Sequence, residues 1–79
     1  MEKQISTIPF SPSRFFWAFC KVTRYISEPV TDKAGNRLIT VQTYDTEMAT
    51  TLKTMLTYAF DVKGILTNHV DHTKFIIKY

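Results

Sequence analysis

Cysteine and glycine are scarce in this sequence, which has one Cys and two Gly among 79 residues. A single cysteine, Cys20, excludes an intrachain disulfide framework and a zinc site built from several thiolates. The isolated glycines Gly35 and Gly64 cannot form a glycine-rich loop that binds phosphate. Long apolar runs are also missing: the longest spans residues 15–20, whereas a membrane-spanning helix needs roughly 20 residues. We therefore expect no membrane partner and no cofactor.

The chain starts with Met1-Glu2-Lys3, which lacks the basic and then apolar pattern of a secretory signal peptide. Its length predicts one domain over residues 1–79, with residues 1–12 as an extended lead that can add an edge strand. We expect a cytoplasmic protein in which Cys20 is a free, buried thiol. Because a single core of this size gives little stability, a homodimer is one expectation.

The charge is modest and dispersed along the chain. Ten Lys and Arg oppose seven Asp and Glu, which gives a net charge of +3 and a pI near 9.2. Glu28 and Asp32 interrupt the cations near the predicted hairpin. The aromatic signature of an RNA-recognition motif, the glycine loop of a KH domain and zinc-finger spacing are all missing from the sequence. The charge alone therefore does not predict a nucleic-acid-binding protein.

One amphipathic helix is predicted to begin at Asp45 or Thr46. Either residue can cap the first free amide groups, and Glu47 suits the positive end of the helix dipole. We expect Gly64 to end the helix. The apolar positions recur every three to four residues, and they are Met48, Leu52, Met55, Leu56 and Ala59.

Residues 30–39 predict the tip of a β-hairpin. Asp32 opens the turn, and Gly35 or the residue after it tolerates a positive φ angle. Pro29 predicts an edge or a bend in the first strand, because proline lacks the amide hydrogen that a ladder needs. The second strand is predicted over residues 37–44.

Residues 15–26 fit either a strand or a helix. Ser11-Pro12 resembles a helix start, which would give a helix over residues 12–24 followed by a shorter strand. The density of aromatic and β-branched side chains favours a long strand that runs into the hairpin. We favour the strand. Its predicted register consists of the pairs Thr31–Leu38, Val30–Ile39 and Tyr25–Tyr44.

Two more strands are predicted over residues 65–70 and 74–79, joined through residues 71–73. The resulting order is ββαββ. We therefore predict an α+β fold, with a small antiparallel sheet of about four strands and one amphipathic helix packed on one face.

One helix covers only one face of such a sheet, so the other face is expected to be exposed. In the strand interpretation, this face collects large aromatic side chains beside cations and hydroxyl groups. Monomeric proteins seldom expose such a patch without a use for it. We predict a binding surface formed by Phe15, Trp17, Phe19, Lys21, Arg24, Tyr25, Arg37, Gln42 and Tyr44.

Three uses of this surface are open. The lead can fold back over it through Ile5, Ile8 and Phe10 as a second small core. It can instead bind a larger protein or a second copy, since Trp, Tyr, Phe and Arg are enriched in binding hot spots. The alternative is single-stranded nucleic acid, with bases stacked on the aromatic rings. We favour a non-catalytic module that binds a larger protein, as a regulator, inhibitor or accessory factor of the size common among phage and mobile-element products.

Residues with catalytic chemistry are concentrated in one short segment. His69, Asp71 and His72 can in principle supply metal ligands, but Asn, Asp and His are also the residues that a turn favours. Cys20 lies in an apolar segment, where burial makes a thiol inert, and no serine has the spacing of a nucleophile elbow. We predict an exposed turn, no metal site and no enzyme activity.

Overall fold

Residues 8–79, the part of the chain that the computed structural model describes, form two helices and seven strands. In chain order they are β1 (Ile8–Pro9), α1 (Pro12–Phe19), β2 (Thr23–Ile26), β3 (Val30–Thr31), β4 (Arg37–Thr43), α2 (Thr46–Ala59), β5 (Phe60–Asp61), β6 (Gly64–Thr67) and β7 (Lys74–Lys78).

The main sheet is antiparallel and has the strand order β2-β4-β7-β6. β3 also pairs with β4, further along the same edge, so β2 and β3 together act as one interrupted strand. The sheet thus has four strand positions. In chain order they are β2 with β3, β4, β6 and β7, and α2 lies between β4 and β6. A separate small pair joins β1 to β5 in parallel. The predicted α+β class and antiparallel sheet are confirmed.

The core lies between the helices and one face of the sheet. Side chains alternate across a strand, and the buried members of β4 and β7 all point to the same side. The fully buried core contains Phe15 from α1, Ile39 and Val41 from β4, Ala49, Leu52 and Leu56 from α2, and Phe75 and Ile77 from β7.

The helix α2 confirms the prediction at its start and corrects it at its end. Asp45 is the N-cap, and its carboxylate accepts a hydrogen bond from the Met48 amide at 2.8 Å. The helix ends at Ala59 because Phe60 is extended and pairs as β5. Gly64 does not end the helix, since it is the first residue of β6. The short strand β5 thus lies between the end of α2 and Gly64.

The favoured strand over residues 15–26 is wrong in its first half, where the chain forms α1. Pro12 occupies the first turn of this helix, where its missing amide hydrogen costs nothing. Phe15 and Phe19 are four residues apart, so both rings lie on the helix side that faces the core. The helical alternative was closer, although the helix ends at Phe19 and the strand begins at Thr23.

The hairpin tip is confirmed, but its register is not. The Asp32 carboxylate accepts hydrogen bonds from the Ala34 and Asn36 amides, and Gly35 takes the positive φ of 87°. Pro29 lies in the gap between β2 and β3, as the expected bend. The observed pairs are Thr31–Arg37, Val30–Leu38 and Tyr25–Gln42, because the turn holds five residues and the three residues between β2 and β3 lie opposite only two residues of β4. A bulge after Thr23 shifts the register once more.

Only part of the predicted lead is described. β1 pairs with β5 rather than with the main sheet, and Phe10 packs on Phe15 with ring centroids 5.6 Å apart. Ile8 is exposed, and Ile5 lies outside the described residues. Cys20 is a free thiol that is half-buried rather than buried, at the C-terminal end of α1.

Candidate binding surface

The face of the sheet opposite the core is covered by no helix within residues 8–79. Both helices contribute to the same core as Ile39 and Ile77, so they pack on the same side. We call the opposite side the open face. Its residues, taken from the strand pairing, are Tyr25, Val30, Leu38, Thr40, Gln42, Leu66, Lys74, Ile76 and Lys78.

The centre of the open face is aliphatic. Ile76 of β7 lies between Thr40 of β4 and Leu66 of β6, so three neighbouring strands meet there. Cross-strand neighbours of this kind stand about 5 Å apart, which makes their apolar surface continuous. A shallow cavity of about 370 Å³ opens at this point and is lined in part by the same three side chains.

Each end of the open face carries one lysine and one carboxylate. Lys74 lies near Asp71, whose carboxylate accepts a hydrogen bond from the Gln42 side-chain amide at 3.3 Å. Hydrogen bonds from the hydroxyl and amide of Thr73 hold the pKa of Asp71 below its ordinary value. The amide groups in the turn that begins at Asp32 likewise lower the pKa of that residue.

At the other end, Lys78 adds a smaller attraction to the Asp32 carboxylate. Both lysines are half-buried between strand neighbours. Cations at the two ends therefore frame an apolar centre.

The predicted binding residues are not brought together into one surface. Tyr25 and Gln42 are neighbours on the open face. Phe15 is buried on the opposite side of the sheet, and Phe19 packs beside it with ring centroids 5.0 Å apart. The helix turns Trp17 outward, away from both.

The remaining predicted residues are dispersed. Arg24 is the extra residue of the bulge in β2, and Lys21 lies in the turn between α1 and β2. The Arg37 guanidinium lies 5.8 Å from the centre of the Tyr79 ring. Tyr44 is exposed in the turn between β4 and α2. Each of these side chains is exposed or half-buried.

Three apolar members of the open face were missed from the sequence. Leu38 has the same parity as Thr40 and Gln42, so period-two alternation would have placed it there. Val30 was assigned to the covered face because the predicted register was one residue off, and such a slip exchanges the faces. Leu66 could be found only once β6 was paired with β7.

The segment with the histidines forms a turn stabilised by its own side chains. The Asn68 side-chain carbonyl accepts hydrogen bonds from the amides of Val70 and Asp71 at 2.8 and 2.9 Å. His69 and His72 are exposed. Across residues 8–79, no group of three or more His, Cys, Asp and Glu side chains is arranged to hold a metal ion. None of the helices in this range is long and apolar enough to cross a membrane.

No protein-family model, no curated protein and no solved structure matches this chain. The function is therefore inferred from the geometry of the protein's surfaces.

Proposed function

We propose that this chain is a non-catalytic binding module that docks on a larger protein through the open face. The observation that carries the proposal is the placement of both helices on one side of the sheet, so that no described helix covers Leu38, Leu66 and Ile76. Leu66 is exposed, and Leu38 and Ile76 are half-buried among their strand neighbours. Neighbouring apolar side chains that stay accessible in this way are typical of protein interfaces.

The charge of the protein indicates which kind of partner the open face prefers. Two copies packed through their open faces would have to desolvate Lys74 and Lys78 of each copy together with the nearby carboxylates of Asp71 and Asp32. The net charge of +3 on each copy adds a repulsion between them. A partner with an apolar patch and a net negative charge avoids that repulsion. The preferred occupant is therefore an acidic protein rather than a second copy.

The open face does not suit single-stranded nucleic acid. Binding of that kind stacks bases on exposed aromatic rings beside cations that contact phosphates. On the open face, Lys74 and Lys78 each lie near a carboxylate. Tyr25 is the one aromatic side chain that strand pairing places on this face, and its centre is aliphatic. We propose that the protein acts as a regulator, inhibitor or accessory factor in the cytoplasm.

The test compares two apolar-to-acidic substitutions at exposed positions. Leu66 is 49% exposed on the open face, and Val70 is 94% exposed in the turn that follows β6. Tagged wild-type protein, Leu66→Glu and Val70→Glu are used to capture partners from the native host. The captured partner is then purified, and its affinity for each form is measured by calorimetry.

We expect Leu66→Glu to weaken this affinity by about 30-fold or more, as for a residue in an interface hot spot. Val70→Glu should bind like wild type, and thermal unfolding should show that both variants are folded. Equal affinity of Leu66→Glu and wild type would exclude the open face as the docking surface. Concentration-dependent dimerisation that is lost in Leu66→Glu would replace the acidic partner with a second copy.

A further inference from the structure

The outward side of α1 presents a tryptophan that lies outside the core formed by residues 8–79. Phe15 and Phe19 face the core, and Trp17 lies between them in sequence, so the helix turns its indole ring directly outward. Trp17 is 81% exposed and Phe16 beside it is 48% exposed. The two residues are adjacent in the helix, so they place two aromatic rings next to each other on the protein surface.

The inner side of α1 packs on aromatic rings, which orients the helix. Phe10, Phe15 and Phe19 form a chain of rings with centroids 5.6 and 5.0 Å apart. Phe10 also packs on Tyr79 at 5.0 Å. These contacts turn Trp17 away from the core, where a partner can reach it.

Cations flank Trp17 on the same side of the helix. Arg14 lies three residues before it, which places the guanidinium about one turn away on the outward side. Lys21 lies four residues after it, in the turn that continues α1 with hydrogen bonds from the Cys20 and Val22 amides back to Phe16 and Phe19. Both cationic side chains are exposed.

The local charge has one sign. Residues 8–27 contain Arg14, Lys21 and Arg24 and no Asp or Glu. This segment thus carries the whole net charge of the chain in a quarter of its length. The cations are dispersed along the whole sequence, but all the acidic residues lie outside residues 8–27. The net positive charge of this segment is therefore not evident from the positions of the cations alone.

We infer that the outward side of α1 binds single-stranded nucleic acid, with a base stacked on Trp17 and phosphates contacted by Arg14 and Lys21. Stacking on a planar ring combined with cations at its edges is the arrangement that binds single strands without sequence preference. The exposed apolar residues of α1 and the turn after it are Phe16, Trp17, Ala18 and Val22, which give less apolar area than the core of a standard protein interface requires. The open face lies on the other side of the sheet, so the inference is independent of the protein-binding proposal.

Trp17 is the only tryptophan in the chain, so its fluorescence reports on this site alone. Wild-type protein is titrated with an oligodeoxythymidylate of about ten nucleotides. We expect the fluorescence to be quenched at saturation. Between 50 and 200 mM salt, the affinity should fall by about sevenfold, as for the two phosphate contacts of Arg14 and Lys21 on a single strand.

Variants are compared by fluorescence anisotropy of a labelled oligonucleotide. Trp17→Ala should weaken binding by about tenfold. Its matched control is Tyr58→Ala, which removes an aromatic ring that is 76% exposed on α2. Arg14→Gln and Lys21→Gln should each reduce the magnitude of the salt slope by about 0.7, whereas Lys63→Gln, an exposed lysine distant in sequence from α1, should leave it unchanged.

Several outcomes would overturn the inference. One is the absence of quenching at low salt. Another is an equal loss of affinity for Trp17→Ala and Tyr58→Ala, which would indicate non-specific attraction to a basic protein. A third is a response to poly-glutamate of equal charge but not to the oligonucleotide, which would assign the surface to an acidic protein partner. Circular dichroism of each variant shows whether the fold is intact.

Discussion

The open face and the outward side of α1 both expose large apolar side chains, but they differ in chemistry and in support. The open face joins aliphatic side chains from three neighbouring strands, held in place by the ladder around Ile76. The outward side of α1 presents Trp17 between cations, and the helix rests on buried phenylalanine rings. An aliphatic patch suits a protein surface, whereas an aromatic ring among cations suits a stacked, negatively charged partner.

The difference shows that exposed hydrophobicity alone does not define a function. On the sheet, Leu66 pairs with Ile76 and Val30 pairs with Leu38, so a partner would bury apolar side chains from adjacent strands. On α1, the residues three before and four after Trp17 are the cations Arg14 and Lys21, so contact there depends on stacking and on charge. Substitutions that alter one surface and leave the other intact are therefore needed to distinguish their functions.

The largest expected effect comes from the support of α1. Phe15→Ala removes a buried ring that contacts both Phe10 and Phe19, and we expect it to lower the free energy of unfolding by about 3 to 5 kcal/mol. Phe16→Ala, its neighbour on the outward side, should lower it by less than about 1 kcal/mol. Urea denaturation measures both values, and similar losses would show that the two rings are not on opposite sides of the helix.

A smaller difference is expected between the two sides of the sheet. Ile77 is fully buried under the helices, and Ile76 is half-buried at the centre of the open face. Ile77→Ala should cost about 3 to 4 kcal/mol of unfolding free energy and Ile76→Ala about 1 to 2 kcal/mol, since its cavity opens to solvent. Calorimetric unfolding is the measurement. A larger loss at Ile76 would mean that the open face is covered in the native protein.

The smallest expected effect is the pH dependence of stability that comes from Asp71, at one end of the open face. The pKa of Asp71 is lowered in the folded state, so its contribution to stability is present above the ordinary value of 3.8 and is lost as the pH falls through the folded value. Thr73→Val removes the hydroxyl donor, so we expect the pKa of Asp71 to rise toward 3.8.

NMR titration of the side-chain carboxyl carbons reads both aspartates at once. Asp32, at the opposite end of the face, receives its hydrogen bonds from its own turn and serves as the internal control. A Thr73→Val variant in which the pKa of Asp71 is unchanged would show that the hydroxyl does not cause the lowered pKa.

The sequence predicted local elements well where one residue type controls the conformation. Asp45 caps α2 as expected, and Gly35 adopts the positive φ in the hairpin turn. β7 was predicted within one residue of its observed end, because Phe75 and Ile77 alternate with exposed positions. These features depend on contacts within a few residues of the chain, which a sequence pattern encodes directly.

The segment over residues 12–26 was not predictable in the same way. Its aromatic residues satisfy a period of two about as well as a period near four, so the pattern does not separate strand from helix. The choice depends on what Phe15 contacts, and those contacts come from Phe10 and from the core formed by residues distant in sequence. Because the first part of this segment forms α1, the aromatic residues of α1 lie on the core side of the sheet and not on the open face.

The sequence by itself determined that the protein is a small α+β chain with an amphipathic helix, a hairpin at Gly35 and too few cysteines and glycines for the sites that depend on them. Only the tertiary structure decided which side chains share a surface. A shift of one residue in register moved Val30 to the other face, and the formation of α1 placed Trp17 on the opposite side of the sheet from Tyr25. Both outcomes depend on contacts between residues far apart in the chain.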